Sequence, residues 1–229
     1  MHIPDGFLDP KVSAGMMGIA AVVLGISLAK VRQAVTALQK SEVFAAVANT
    51  GANLTSGGRR VLSKFGAKIL QKMFFVIGLV FFAQMFDFIG IEKVTGHLMG
   101  GAMAGIVLGP FAGMVAMSAV VISQMLFMGD GGAFALGVNL FNIAIVGVFS
   151  GYYIYSALKR VLYENVAIFS AAWLSVVFGA LSYTLLISFF GIINENNLFQ
   201  EVMKVHVVVG LAEGLFTVAF VEIFRRYFK

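Results

Sequence analysis

TGHLMGGAMAGIVLGPFAGMVAMSAVVISQMLFM, from Thr95 to Met128, contains no Asp, Glu, Lys or Arg. A helix needs about 20 apolar residues to cross the hydrocarbon core of a bilayer. Phe111–Met128 meets that requirement. His97–Gly109 is shorter and runs through Gly109-Pro110 into it, as a half-helix or a tightly turned hairpin would. Gly101, Gly105 and Gly109 stand four apart, a stripe of small residues that lets helices pack closely. Comparable apolar spans lie at Val12–Val31, Ile69–Gly90, Phe134–Leu158, Val166–Gly191 and Val202–Phe224.

The whole chain has the same character. It is 60% hydrophobic and only 12% charged, with a mean hydropathy of +0.94. Soluble domains carry about a quarter charged residues, so this chain cannot cover a surface facing water. Strands at membrane depth would need a closed barrel of alternating polarity, and no such alternation is present. The expected fold is therefore all-α: one integral membrane domain over residues 1–229, a bundle of about seven transmembrane helices. The chain has no cysteine, which removes disulfides and thiolate metal sites.

Basic residues orient the bundle. Lys30, Arg32, Lys40, Arg59, Arg60, Lys64, Lys68 and Lys72 lie in or around the first connection. Lys159, Arg160, Arg225, Arg226 and Lys229 follow the fifth and seventh spans. Seven crossings from an outside N-terminus make all of these cytoplasmic and leave only Lys11, Lys93 and Lys204 outside, the positive-inside asymmetry. The basic excess is thus loop charge, not a nucleic-acid surface. Arg32–Lys68 reads as a cytoplasmic loop, part helical (Glu42–Val47) and part flexible (NTGANLTSGG), available to a cytoplasmic partner.

MHIPDGFLDP at Met1–Pro10 lacks the basic and apolar regions of a cleavable signal, and His2 is too bulky for the usual removal of Met1. Residues 1–11 can then act as a metal-binding segment. The Met1 amine and the His2 amide nitrogen close a five-membered chelate ring; the same amide and Nδ1 of His2 close a six-membered one. Three coplanar nitrogens with an ionised amide suit square-planar Ni(II), Cu(II) or low-spin Co(II), not tetrahedral zinc. A fourth nitrogen is needed. The chain has three histidines, His2, His97 and His206. His97, at the outer end of the third span, is where an outside N-terminus can reach.

Other polar groups within the apolar spans are candidates for the surroundings of the site or for its approach path. Glu213, near the bilayer midplane, must be paired, protonated or facing a cavity; His206 lies seven residues before it. Asn139 and Asn142, three apart, suggest inward hydrogen bonds. Gln84 and Asp87 are placed to line the approach, and Asp5 belongs to the N-terminal segment. The many Phe and Met residues are lipid-facing or core.

Taken together, MHIPDGFLDP, FFAQMFDF (Phe81–Phe88), Thr95–Gly113, GDGGAFALGVNLFNIA (Gly129–Ala144) and HVVVGLAEGLFT (His206–Thr217) resemble the CbiM/NikM family. These are the substrate-binding components of energy-coupling-factor nickel and cobalt transporters. The resemblance runs in order over nearly the whole chain. It implies an N-terminus folded back into a seven-helix bundle, in the cytoplasmic membrane of a prokaryote, and a metal held by the Met1 amine, the His2 amide and ring, and His97. Ni(II) or Co(II) is then the transported substrate. The implied partners are a transmembrane coupling component, two ATPase subunits and, since the chain ends soon after its seventh span, a separate small membrane subunit where one exists. Pro4-Asp5 looks more like the nickel-type opening; the cobalt alternative is a homologue feeding cobalamin synthesis.

No G-x-x-x-x-G-K-[ST] is present, so the chain is expected not to be an enzyme and not to hold ATP. Two readings from other classes compete. A seven-helix photoreceptor or sensor would want a mid-membrane lysine, but Lys204 sits at the outer edge of the last span. An intramembrane metalloenzyme would want H-E-x-x-H, which is missing.

Overall fold

The computed structural model describes residues 2–50, 54–91, 94–192 and 197–228. The helices are α1 (Pro10–Thr50), α2 (Leu54–Gln84), α3 (Gly101–Leu108), α4 (Pro110–Met128), α5 (Leu136–Leu158), α6 (Glu164–Phe190) and α7 (Leu198–Tyr227). Six of them, all but α3, are long and apolar enough to cross a membrane. The exterior of the bundle is apolar, unlike that of a soluble protein, and a few polar groups are buried within an apolar core. Phe74, Phe82, Leu126, Phe189 and Leu215 face outward, while Gln124, Asn142, His206, Glu213 and Thr217 are buried. An apolar exterior around polar interior groups is what a lipid solvent selects.

The eight residues of α3 reach roughly 12 Å at 1.5 Å each, too short to span the core alone. It is the half-helix that the Gly109-Pro110 break suggests, and its first five residues are buried among its neighbours. A Cβ on Gly101 would lie 2.8 Å from the Gly147 carbonyl carbon, and one on Gly105 would lie 2.9 Å from the Val148 carbonyl oxygen. Those two glycines let α3 and α5 meet backbone to backbone. Gly109, the third of the expected stripe, packs against nothing within 4 Å; its φ of +83° serves the turn into α4 instead.

Two expectations change. The second span stops at Gln84 rather than Gly90, because β1 (Asp87–Ile91) and β2 (Val94–His97) form a small antiparallel hairpin. Asp87 is thereby paired in register with His97. The architecture remains that of a helical membrane bundle. Arg32–Lys68, expected as a loop, is largely helical: α1 runs to Thr50 and α2 starts at Leu54, with 51–53 outside the described residues. The run from Ala37 to Thr50 is rich in helix formers. A helix already nucleated in the membrane extends through such a run at one hydrogen bond per residue. At 41 residues, α1 reaches roughly 60 Å, about twice the hydrocarbon thickness.

Lys30, Lys72, Lys159 and Arg225 gather at one end of the bundle. Lys30 and Lys72 line a groove with the Gly109-Pro110 turn, and Arg225 pairs with Glu164 at 2.8 Å. The N-terminal segment, the hairpin and the turn after α4 occupy the other.

Candidate metal centre

The chain enters the bundle as an extended segment tied down at each step. Asp9 caps α1, accepting from the Lys11 N–H at 2.7 Å, with Pro10 at the first helical position where its missing N–H costs nothing. Leu8 bridges to Gly191, and the Ile192 N–H donates to the Phe7 carbonyl at 3.1 Å. The Asp5 carboxylate accepts from the Ala133 and Ala135 N–H groups at 3.1 and 2.8 Å. Asn139 treats Ile3 as a neighbouring strand would: Oδ1 accepts from the Ile3 N–H at 2.7 Å and Nδ2 donates to the Ile3 carbonyl at 3.0 Å. Nδ2 also donates to the Gly131 carbonyl at 3.0 Å. Ile3 itself is fully buried.

The turn Gly129–Gly132 wraps this segment closely. Gly131 and Gly132 both have positive φ, +85° and +66°; a Cβ on Gly132 would fall into the Asp5 carboxylate, and one on Gly131 would meet Asn139 Nδ2 and the His2 ring. Backbone conformation and space both require glycine here.

These constraints bring His2 to His97. Their rings stack with centroids 5.4 Å apart and planes 24° from parallel. His97 Nδ1 lies 2.8 Å from the Leu98 carbonyl, so Nδ1 carries the hydrogen and the lone pair falls on Nε2. His2 Nδ1 lies 2.9 Å from Asp130 Oδ2. Burial pushes the His2 ring below the ordinary histidine value and the His97 ring well below it. Both rings are therefore neutral at neutral pH, the form that ligates metals. The hydrogen bond from His2 holds the Asp130 carboxyl below the usual carboxylate range, so Asp130 is ionised.

Behind His97, the Leu98–Gly100 loop is anchored from two helices. Glu213 of α7 accepts from the Met99 and Gly100 N–H groups at 2.9 and 2.8 Å, and Gln84 Nε2 of α2 donates to the Met99 carbonyl. Two backbone donors answer the question of what a fully buried carboxylate is doing at mid-membrane depth.

Not every candidate joins this arrangement. His206 donates from Nδ1 to its own helix, at the Val202 carbonyl 2.7 Å away. Asn142 is fully buried in the π-helical stretch Leu140–Val146 of α5, with neither amide atom hydrogen-bonded. Asp87 is paired with His97 in the hairpin. Met1 lies outside the described residues. Among the described residues no three His, Asp or Glu side chains form a metal-holding group by themselves; the donor set read from the sequence draws on backbone nitrogens instead. Asp130 and Gln124, beside His2, were not among the sequence candidates. An acid flanked by glycines in GDGG, directly after a span, was the available signal for Asp130; Gln124 carried none.

Asn139→Leu should expose the importance of the clamp. It orphans the Ile3 N–H and carbonyl, at about 1–3 kcal/mol for each buried group. The melting temperature in detergent should fall by about 5 °C or more. A thermal-shift measurement checks this, and an unchanged melting temperature would mean that Asn139 does not hold the segment in place.

The chain is similar to known metal transport proteins. The family described as CbiM, cobalt uptake substrate-specific transmembrane region, matches residues 36–229. A chain of Archaeoglobus fulgidus named for fused nickel transport is 34% identical over 97% of this chain, which spans 64% of that relative's length. The cobalt transport protein CbiM of Thermosipho melanesiensis is 31% identical over 70% of this chain and 81% of its own. The crystal structure of a truncated transition metal transporter superposes with a TM-score of 0.75, covering 99% of both chains at 22% identity, which is a likeness of fold.

Proposed function

Because the chain belongs to the CbiM family of cobalt uptake substrate-specific transmembrane regions, we propose that it is the metal-binding subunit of a nickel or cobalt importer, with Ni(II) as cargo and Co(II) the alternative. The observation that carries this reading is the meeting of His2 and His97, from opposite ends of the Met1–His97 stretch, as buried neutral rings 5.4 Å apart.

The proposed donors are the Met1 amine, the His2 amide nitrogen, His2 Nδ1 and His97 Nε2. The first three are set by covalent spacing; His97 closes the square only when the segment is docked. Four nitrogens in a plane favour Ni(II) and low-spin Co(II) over zinc. The ionised amide lowers the charge of the buried complex to about +1, which eases its desolvation. The hydrogen bond from His97 Nδ1 to Leu98 fixes the ligating tautomer, and Glu213 and Gln84 fix the loop that carries it. The archaeal relative's nickel name and the Pro4-Asp5 opening favour nickel.

With the N-terminus outside, thirteen of the sixteen basic residues fall on the cytoplasmic side, as a multi-pass protein of the cytoplasmic membrane requires. Energy then comes from partners: a transmembrane coupling component and two ATPase subunits. The purified chain should develop a square-planar d–d absorbance band with Ni(II) and hydrolyse no ATP. ATP hydrolysis by the chain alone, or a titration with Ni(II) that gives no such band, would overturn this reading.

A further inference from the structure

The His2 ring has two polar neighbours. Asp130, just past the C-terminus of α4, takes its Nδ1–H at 2.9 Å; the His2 side chain is 4% exposed and that of Asp130 45%. Gln124, one and a half turns back on α4, is the other. It lies beside the ring without bonding to it: Gln124 Oε1 and His2 Nε2 are both buried with no hydrogen bond. The two neighbours are mechanically joined, since the Gln124 carbonyl accepts from the Gly129 N–H and from the Asp130 N–H, the latter at 3.3 Å. One carbonyl thus takes both N–H groups where α4 ends at a left-handed glycine.

Nδ1 has one position for a hydrogen or a metal. The hydrogen bond to Asp130 and a chelate through Nδ1 therefore exclude each other. Among the described residues Asp130 is also the one carboxylate on His2, and it is half-exposed where its partner ring is not. The orphaned Nε2 and the orphaned Oε1 complement each other in the opposite tautomer, with Nε2 carrying the hydrogen and Oε1 accepting it.

We propose that Asp130 is the entry ligand of the site and that Gln124 selects the ligating tautomer of His2. A hydrated divalent cation first binds the Asp130 carboxylate. The Nδ1 proton leaves to water by way of that carboxylate, and Nε2 takes a proton from water, so the ring stays neutral. The metal–Nδ1 bond forms as the metal–carboxylate bond breaks, and Nε2–H donates to Gln124 Oε1. The half-exposed acid governs arrival; the buried amide governs retention. This inference rests on the metal-carrier reading above.

The two roles separate kinetically. Stopped-flow absorbance of the purified full chain with NiCl2 gives association and dissociation rates from one band. Asp130→Asn keeps an acceptor for Nδ1–H but loses the charge and most of the affinity for metal. Its association rate should fall about tenfold with dissociation unchanged, and Asp130→Glu should restore it. Gln124→Met keeps the volume and loses the acceptor; its dissociation rate should rise by about ten- to a hundredfold with association unchanged. Asp130→Asn associating at the parental rate would overturn the entry role, and Gln124→Met releasing metal at the parental rate would overturn the tautomer role. A parent chain that never develops the square-planar band would instead overturn the metal-carrier reading itself.

Discussion

An uncleaved tag placed before Met1 should abolish nickel uptake, while the same tag after Lys229 should leave it intact. Two of the four proposed donors depend on the first residue: the Met1 amine, and the His2 amide that closes a five-membered ring with it. Any preceding residue converts that amine to an amide and changes the donor set. Inserting one alanine between Met1 and His2 is nearly as damaging for a different reason. The ring pattern becomes five–five–six, which supplies four nitrogens without His97, so the metal would be held by the segment alone. That variant should bind Ni(II) and fail to transport it, because binding no longer requires the segment to dock against Asn139, Ala133 and Ala135. Radiolabelled nickel uptake in cells co-expressing the partner subunits is the measurement. Full uptake by a chain carrying an intact N-terminal tag would remove Met1 from the site.

His97→Ala should weaken Ni(II) binding by more than about a hundredfold, since loss of a ligand exceeds the ten- to hundredfold cost of losing an outer partner. The substitution leaves three protein nitrogens and removes the ring stacked on His2. His206→Ala serves as the control: His206 donates to the Val202 carbonyl of its own helix, and its loss should change affinity little. Isothermal titration of both variants against the parent decides the matter. Parental affinity in His97→Ala would strike it from the donor set and return His206 as the remaining histidine.

Much of the fold could be read from the chain because a membrane imposes a length rule on apolar runs. Six spans emerged at the six long helices, and the Gly109-Pro110 break, read as closing a half-helix or a tight hairpin, closes the short α3. The errors fell where that rule does not reach. Phe86–Gly90 is apolar enough to continue a helix, but pairing with β2 turns it into a strand. Arg32–Lys68 is polar enough to be a loop, but helices already nucleated in the membrane carry through most of it. At the site, Asn139 and Glu213 stood out because polar groups inside apolar spans are costly to keep. Asp130 did not, because an acid in a loop is ordinary.

What the sequence determined by itself was whatever depends on covalent spacing or on the solvent. The proposed five–six chelate uses only neighbouring residues, and lipid exposure follows from composition; neither needs a partner from elsewhere in the fold. The tertiary structure alone decided which distant groups meet. It stacks His97 on His2, lays Asn139 along Ile3, hangs the Leu98–Gly100 loop from Glu213, and sets Asp130 on one nitrogen of the His2 ring. Those meetings depend on how closely helices approach. The approach is set by glycines such as Gly101, Gly131 and Gly132, whose neighbours lie too far along the chain for any local pattern to reveal them.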